Sequence, residues 1–442
     1  MQKILYVGYV WPEPNSSAAG GRTMAFLRLF RQQAWQVVYA SAAALSEHRF
    51  DLATIGVREQ QIALNCDSFD AFVAAYQPDM VVFDRFFTEE QFGWRVEKHC
   101  PDAMRVLDTC DLHSLRDARW RLLKQAQHPS QHLSFPVLTE MASLSDAMRG
   151  DDLALREVAA IFRCDLSLMI SPFEIDLLVR YFAVPEELMC LSRLMLMPTM
   201  SNGSVDFAQR RHFVSIGNFR HAPNWDAVLI LKQQVWPRLR EGLRSHVVAQ
   251  QLDHEVQLHI YGAYPPPKAM ALHNEKEGFL MRGWASDAQL SLAQSRVCLA
   301  PLRFGAGLKG KLSDAMAAGT PSVTTDIGAE GMAGDLPWAG RIENELDAFV
   351  QAALDLYVNQ AQFLEAQAQG YAILQTHYQE PQLAADLLRQ LCASREQQAM
   401  RRSRNFTGAM LRHHSHKSSH YMSQWISLKN QLTASGEVNT NC

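Results

Sequence analysis

This sequence of 442 residues lacks several features that mark particular protein classes. Its eight cysteines lie far apart and form no CxxC pair, so neither a zinc site nor a redox centre is predicted. No run of about 18 apolar residues occurs, which argues against a membrane-spanning helix. The formal net charge of -4 is small and gives no electrostatic reason to expect a nucleic-acid partner.

Shorter motifs are missing as well. The N-terminal segment has neither the long apolar core nor the small-residue cleavage site of a secretory signal peptide, so we expect a cytoplasmic protein with reduced cysteines. No Asp-x-Asp motif occurs, and neither a metal nor another cofactor is expected. The first apolar segment ends in VGYVWPEP rather than GxGxxG, which makes a Rossmann dehydrogenase the weakest of the α/β interpretations.

Short apolar segments alternate with helix-length segments in two series. The first series starts with KILYVG at Lys3 to Gly8 and continues with QVVYA and MVVF, and the second starts with HFVSIGN at His212. Buried strands that alternate with helices indicate parallel sheets. The fold class predicted from this pattern is α/β, with two Rossmann-like domains.

The turn-rich segment from Pro198 to Gln209 separates the two series. We predict an N-terminal domain over residues 1–205, a C-terminal domain with closing helices over 206–396, and a basic tail over 397–442. No acidic residue occurs between Glu396 and Glu437. A solvated or flexible tail is the favoured interpretation of such a like-charge block, and contact with anionic lipid head groups is the alternative.

The segment PLRFGAGLKGKLSDAMAAGTPSVTT, from Pro301 to Thr325, is the most informative. It is typical of a strand end, a glycine-rich loop, a helix and a second strand. Glycines let backbone N–H groups approach a diphosphate, and the helix N-terminus favours its negative charge. Lys309 and Lys311 add positive charge, although such a loop is also compatible with a tight connection that binds nothing. The loop glycines are Gly305, Gly307 and Gly310.

The order of residues in this segment resembles the signature Lys-x-x-Glu-Ala-x-x-x-Gly-x-Pro-Val of the family 4 (group 1) retaining glycosyltransferases. The matching positions are Lys311, Asp314, Ala315, Gly319 and Pro321, with Asp in place of Glu. Four further segments resemble the family, and together the matches run from about residue 3 to residue 375. These segments are Gly20-Gly21-Arg22, DTCDLHSLR from Asp108, CDLSLMISPFE from Cys164, and GNFRHAPNWDAVLILKQQVWP from Gly217.

The resemblance implies the GT-B fold, in which two Rossmann-like domains face each other across a cleft. It also implies transfer of a sugar from a nucleotide-diphosphate donor to an acceptor with retention of configuration, in polysaccharide or glycoconjugate synthesis. The donor lies mainly on the C-terminal domain. The N-terminal domain selects the acceptor, which is a saccharide, a lipid-linked glycan or a small molecule.

The family pattern assigns roles to individual residues. Asp314 is expected to bind the ribose hydroxyls, unless it is only a first-turn helix charge. Lys311 is expected at the diphosphate, with His113 and Arg220 as further catalytic candidates. The remaining donor-binding candidates are Gly217, Gly305, Ala306, Gly307, Leu308 and Lys309, and the candidates at the acceptor side of the cleft are Gly20, Gly21, Arg22 and Arg85.

The sequence departs from the family at two places. Ala306 stands eight positions before Asp314, where the family tends to have a Glu that faces the donor sugar, and Asn218 and Asn224 stand near an expected Arg and Lys. Arg220 is a candidate to supply the missing positive charge. These departures keep open a second hypothesis, a catalytically degenerate partner or scaffold of another transferase.

Ser171-Pro172-x-Glu174 has the residue order of a helix start, with Ser as the N-cap, Pro at the first helical position and Glu two positions later. In the family this is mainly a structural signature. We therefore assign Glu174 no functional role from the sequence.

Overall fold

The computed structural model describes residues 2–126, 135, 138–196, 205–246 and 255–434. Two parallel β-sheets with flanking helices follow one another along the chain, which confirms the predicted fold class. Residues 198–204 of the predicted linker lie outside the described residues.

The first sheet has the strand order β3-β2-β1-β4-β5-β6-β7, and all its neighbouring strands are parallel. Its strands are β1 (Lys3–Gly8), β2 (Gln36–Ser41), β3 (Arg58–Gln61), β4 (Met80–Asp84), β5 (Met104–Asp108), β6 (Leu166–Met169) and β7 (Met189–Leu191). The helices of this domain are α1 (Ala18–Gln32), α2 (Ser68–Tyr76), α3 (Phe86–His99), α4 (His113–Ala126), α5 (Met141–Met148), α6 (Asp152–Arg163) and α7 (Pro172–Phe182).

The second sheet has the order β10-β9-β8-β11-β12-β13 and is again parallel throughout. Its strands are β8 (Arg211–Ile216), β9 (Leu258–Tyr261), β10 (Phe279–Gly283), β11 (Ser295–Ala300), β12 (Ser322–Thr324) and β13 (Gly340–Ile342). The helices described around it are α8 (Ala222–Ile230), α9 (Trp236–Ser245), α10 (Pro267–Met270), α11 (Ala288–Ala293), α12 (Gly310–Ala317), α13 (Asp326–Ala329), α14 (Leu346–Val358) and α15 (Gln360–His377).

The central strands are apolar because helices cover both faces of each sheet. Every residue of β4, β5 and β11 is buried. Strand order reverses between β1 and β4 in the first sheet and between β8 and β11 in the second. Ligands of open α/β sheets bind beyond the carboxyl ends of the strands at such reversal points. The loops after these four strands are therefore the places to look for a site.

The C-terminal helices return to the first domain. They are α16 (Glu380–Glu396), α17 (Gln398–Arg404) and α18 (Phe406–Ala434). Leu387 and Leu391 of α16 join an apolar cluster that includes residues of α1 and β1. Arg402 of α17 donates to both carboxylate oxygens of Asp165 at 2.7 and 2.8 Å.

From residue 397 the sequence favours a flexible basic tail, whereas the structure has helices up to Ala434. The difference has a physical reason that the local sequence does not show. The acidic partners of the tail arginines lie more than 200 residues earlier in the chain, as Asp165 does for Arg402. Among the described residues, no helix combines the length and the apolar character needed to cross a bilayer.

Candidate active site

The glycine-rich loop of residues 301–309 connects β11 to α12 and is buried almost throughout. Gly307 has φ +63, a left-handed conformation that favours glycine. A Cβ at this position would also lie 2.8 Å from the Cβ of Asp111 in the first domain. The loop therefore needs glycine both for its own backbone and for the close approach of the first domain.

Lys311 lies in the first turn of α12, at the reversal point of the second sheet. Its ammonium donates a hydrogen bond to Asn224 Oδ1 at 2.6 Å, and burial lowers the pKa of Lys311 to about 8. A Cβ on Gly217, after β8, would approach Lys311 Nζ to 2.8 Å and the Asn224 side chain to 2.6 Å. Gly217 thus leaves the space that Lys311 and Asn224 occupy.

Asp314 lies one turn further along α12 and is half-buried. Among the described residues, no hydrogen bond or ion pair to its carboxylate is present, and burial raises its pKa to about 7. A partly desolvated carboxylate with free oxygens is a ready acceptor for hydroxyl groups of a ligand. The predicted ribose-binding position is therefore available.

Two helix N-termini converge beside Lys311. A Cβ built on Gly310, the first residue of α12, would lie 2.4 Å from the Cβ of Ala18, the first residue of α1. The Asn218 amide also donates to the Ser16 carbonyl, at 3.3 Å. Helix N-termini carry unpaired N–H groups and partial positive charge, so this junction attracts anions.

Lys309 and Leu308 do not project from the loop. Lys309 is buried and donates to the Gly307 carbonyl at 2.7 Å, so its ammonium is engaged within the loop itself. Burial lowers the pKa of Lys309 to about 8. Leu308 packs in an apolar cluster with Ile170 and Ile327. Of the two lysines predicted at the diphosphate, Lys311 is the better placed.

On the first domain, His113 begins α4 close to the end of β5. Its Nε2 lies 3.4 Å from Asp111 Oδ1, and its ring packs edge-on against Phe86 and Phe87. Burial lowers the pKa of His113 to about 4, which keeps the ring neutral at neutral pH. Burial disfavours the charge of Asp111, but the Arg116 guanidinium holds the pKa of Asp111 well below its usual range.

Arg85 follows β4 and pairs with the neighbouring Asp84 at 2.8 Å. Its guanidinium lies 5.7 Å from the ring centre of Tyr9, and its φ is +70. Cys110, after β5, also has a positive φ, of 58. Non-glycine residues in this conformation are uncommon and cluster at functional sites. Both residues lie at the carboxyl edge of the first sheet.

The expected place of Arg22 in the cleft is not what the structure shows. Arg22 is buried and donates to Asp108 Oδ1 at 2.8 Å and to the Ser192 carbonyl at 2.5 Å, so these two acceptors fix its direction. Gly20 permits close packing, since a Cβ there would lie 2.4 Å from the Glu13 carbonyl oxygen, whereas Gly21 faces open space.

Arg220 lies in the loop between β8 and α8 and is exposed. Its guanidinium stacks 3.5 Å from the ring centre of Tyr264, whose hydroxyl donates to Glu13 at 2.8 Å. The second domain therefore presents Arg220 to the loop after β1 rather than to Lys311. Of the three basic candidates of this domain, Lys309, Lys311 and Arg220, only Lys311 is joined to Asn224 at the reversal point of the sheet.

Residues 210–359 match the family model described as glycosyl transferases group 1. The second domain is a group 1 glycosyltransferase domain. The match begins at the start of β8 and ends just after α14, and it includes Gly217, Lys311 and Asp314. No curated protein matches the sequence of the chain.

Solved glycosyltransferase structures share the fold of most of the chain. Sucrose-phosphate synthase from Thermosynechococcus elongatus is 14% identical with a TM-score of 0.61, covering 89% of this chain and 100% of that one. Anabaena HepE in complex with UDP and glucose is 11% identical with a TM-score of 0.61, and the match covers 89% of this chain and 100% of that one. A glycosyltransferase from Rickettsia africae is 10% identical with a TM-score of 0.60, and the match covers 88% of this chain and 97% of that one. At these identities the likeness shows the fold, which is GT-B, and with the group 1 domain it indicates a glycosyltransferase.

Two first-domain residues that contact the group 1 domain were missed from the sequence. Glu174 Oε1 accepts from the Gly307 N–H at 2.8 Å, and Arg119 donates to the Gly305 carbonyl at 2.7 Å. The Ser171-Pro172-x-Glu174 motif does start α7, but no capping bond from the Ser171 side chain is present. In the sequence Glu174 has the position of a helix-start residue. Only the structure shows that its carboxyl group is buried and bonded to the second domain.

Ala306 lies between the two loop residues that Arg119 and Glu174 hold. Its side chain is buried and joins the apolar cluster of the first domain, which includes Leu112 and Met169. A charged side chain at this position would be desolvated against apolar neighbours. This packing accounts for alanine where the family tends to have glutamate.

Proposed function

We propose that the protein transfers a sugar from a nucleoside-diphosphate donor to an acceptor with retention of configuration. The observation that carries this proposal is the half-buried carboxylate of Asp314, which has no protein partner among the described residues and lies one turn from Lys311 on α12. Leaving a carboxylate desolvated and unpaired is costly for a protein unless a ligand uses it. The ribose of a nucleotide supplies two adjacent hydroxyl donors.

The donor diphosphate lies at the junction of the N-termini of α1 and α12. Lys311 contributes a positive charge there, and the loop N–H groups around Gly305 and Leu308 contribute donors. Positive charge and N–H groups stabilise the nucleoside diphosphate as it departs, which is where negative charge develops during transfer. The complexes of HepE with UDP and UDP-glucose support this class of donor.

His113 provides a neutral ring at the face of the first domain. Because its pKa is lowered to about 4, it donates or accepts a hydrogen bond to a sugar hydroxyl without carrying charge. The leaving phosphate takes the acceptor proton on the same face of the donor sugar, so no enzyme nucleophile is needed. Within the described residues, no cluster of His, Cys, Asp or Glu has the makings of a metal site.

The acceptor binds at the first domain, beside Arg85 and Tyr9. A saccharide or a lipid-linked glycan fits the combination of an aromatic ring with charged side chains that offer both donors and acceptors.

We further propose a cytoplasmic protein whose basic C-terminal helix α18 touches a membrane surface. Co-sedimentation with anionic and with neutral vesicles tests this contact.

The deciding experiment is a calorimetric titration of the purified protein with UDP, GDP, ADP and dTDP. We expect one of them to bind, to raise the melting temperature by mass action, and to lose its affinity in Asp314→Ala. Binding of none would contradict the proposed function. Binding without turnover of any donor and acceptor pair would favour the scaffold hypothesis instead.

A further inference from the structure

The glycine-rich loop of the second domain is held by two buried side chains of the first domain, Glu174 and Arg119, which we call the loop clamp. Glu174 binds the N–H of Gly307, and Arg119 binds the carbonyl of Gly305. These two backbone groups lie on either side of Ala306. The peptide groups of this glycine-rich loop, which we also call the donor loop, are thus fixed from the opposite side of the cleft.

Glu174 is fully buried at the start of α7. One carboxyl oxygen, Oε1, accepts from the N–H groups of Gly307 and Leu112, at 2.8 and 2.9 Å. The other oxygen, Oε2, has no hydrogen-bond partner among the described residues. Burial raises the pKa of Glu174 to about 8, which favours the protonated acid at neutral pH. Its side chain joins Leu112, the residue before α4, to the glycine-rich loop.

Arg119 is likewise fully buried, on α4. Besides the Gly305 carbonyl, it binds the carboxylate of Glu330 through two nitrogens and donates to the Leu138 carbonyl at 2.9 Å. Glu330 directly follows α13 of the second domain. The planar guanidinium therefore fixes the loop and its neighbouring segment in one orientation, which a lysine is unable to do.

We propose that Glu174 and Arg119 are positioning residues that give the donor loop its diphosphate-binding shape when the first domain closes on the second. The inference rests on the proposed function, because it assumes that the loop N–H groups meet the outer phosphate and the sugar. It assigns to the acceptor domain a share in donor recognition. The donor is then gripped fully only in the closed molecule.

The loop itself explains why it needs an outside support. Its two glycines, Gly305 and Gly307, give it many backbone conformations, and ordering such a segment costs entropy. The loop's own lysine, Lys309, binds the Gly307 carbonyl but leaves the N–H of Gly307 and the carbonyl of Gly305 to the clamp. Removing the clamp moves the cost of ordering the loop to the donor.

The test compares a nucleoside diphosphate with its monophosphate, using the base that the wild-type protein binds. The monophosphate needs Asp314 and Lys311 but not the outer part of the loop. In Glu174→Ala and Arg119→Lys we expect the preference for the diphosphate to fall about tenfold, with monophosphate affinity retained within about twofold. Glu174→Gln should restore the preference, because its amide oxygen accepts the same two N–H bonds.

Arg163→Ala is the matched control, since it removes a buried arginine whose fork binds Glu89 wholly within the first domain. It should lower the melting temperature without changing the diphosphate preference. An unchanged preference in Glu174→Ala would overturn the loop clamp, and so would a loss that Glu174→Gln fails to restore. A wild-type protein that binds no nucleotide would instead contradict the proposed function.

Discussion

The two sheets have matching reversal points, but the charged side chains beyond them are used differently. At the first sheet the carboxylates form ion pairs with arginines of the same domain: Asp84 pairs with Arg85, and Asp108 with Arg22, each at 2.8 Å. At the second sheet Lys311 has an amide partner, and Asp314 has none among the described residues. We call the first edge saturated because its carboxylates form ion pairs, and the second unsaturated because Lys311 and Asp314 form no ion pair among the described residues. Ion pairs hold a fixed surface in shape, whereas charges without an ionic partner are available to a ligand.

The comparison teaches which edge is preformed by the protein and which is completed by the donor. Burying an ion pair costs desolvation energy that the pair itself must offset, so its loss is felt in stability. An unpaired, partly desolvated group gives the opposite result, because its removal relieves the fold and harms only binding. Stability and affinity measurements on the two edges should therefore diverge.

The largest effect is expected from removing the unsaturated charges together. Lys311→Ala with Asp314→Ala should abolish nucleoside-diphosphate binding, a loss of more than about 100-fold, since charge-assisted hydrogen bonds contribute about 1.5–3 kcal/mol each. Isothermal titration calorimetry measures the loss. The control is Asp386→Ala with Arg389→Ala, which removes one acid and one base at the same spacing from α16 and should leave binding unchanged.

Next in size is a break in the saturated edge. Asp108→Asn leaves the buried guanidinium of Arg22 without its counter-charge, and we expect the free energy of unfolding to fall by about 3–5 kcal/mol. Asp314→Asn, the same chemical change at the other edge, should not lower it. Denaturant titrations compare the two variants, and equal losses in both would refute the distinction between the edges.

Closure of one edge on the other depends on Gly307. Gly307→Ala places a Cβ 2.8 Å from that of Asp111 at a φ of +63, so we expect a loss of stability of about 1–3 kcal/mol together with weaker donor binding. Gly150→Ala has a φ of +79 but meets no atom within 4 Å, and thus carries the backbone strain alone. If both variants bound the donor equally well, the predicted contact would play no part in binding.

A smaller effect is expected from pH. The pKa of Asp314 rises from 3.8 in the unfolded reference to about 7, so the folded state holds the proton more tightly between these values. Its favourable contribution to stability is present below about pH 4 and is lost as the pH rises through about 7. Between pH 4 and pH 8 the free energy of unfolding of Asp314→Asn should therefore rise by about 1–2 kcal/mol relative to that of the wild type, allowing for solvent screening. A constant difference between the two unfolding free energies would contradict this.

The smallest effect concerns Arg220, which is exposed and stacked on Tyr264. Arg220→Ala should weaken diphosphate binding no more than about threefold, because exposed charges act weakly at a distance. Lys268→Ala, which removes a cation held over the ring of Trp225 in the same domain, is its counterpart. A tenfold loss in Arg220→Ala alone would show that this arginine leaves Tyr264 to meet the donor.

Much of the fold was accessible from the sequence because parallel strands buried on both faces leave short apolar segments between helices. KILYVG and HFVSIGN are such segments, and both lie at reversal points of their sheets. Gly217, Lys311 and Asp314 were found by their resemblance to family motifs, and the structure brings Gly217 and Lys311 into contact range although they are far apart in sequence.

The remaining features depend on partners that are distant in sequence. Arg22 was expected in the cleft, but its orientation is decided by Asp108 and Ser192, and no local pattern contains those contacts. Glu174 resembles a helix-start residue because the local spacing is right, yet its hydrogen bonds run to Leu112, just before α4, and to the other domain. Local spacing predicts elements, whereas the direction of a charged side chain follows from tertiary contacts.

The return of α16 to the first domain has a consequence for synthesis of the chain. Domains usually fold as they leave the ribosome, with the N-terminal one first. Here Leu387 and Leu391 complete an apolar cluster begun by Ile4 and Tyr6, so the first domain stays unfinished until residue 391 has emerged. A nascent chain stalled after α14 would expose that cluster, and a chaperone that recognises apolar surface would find it there.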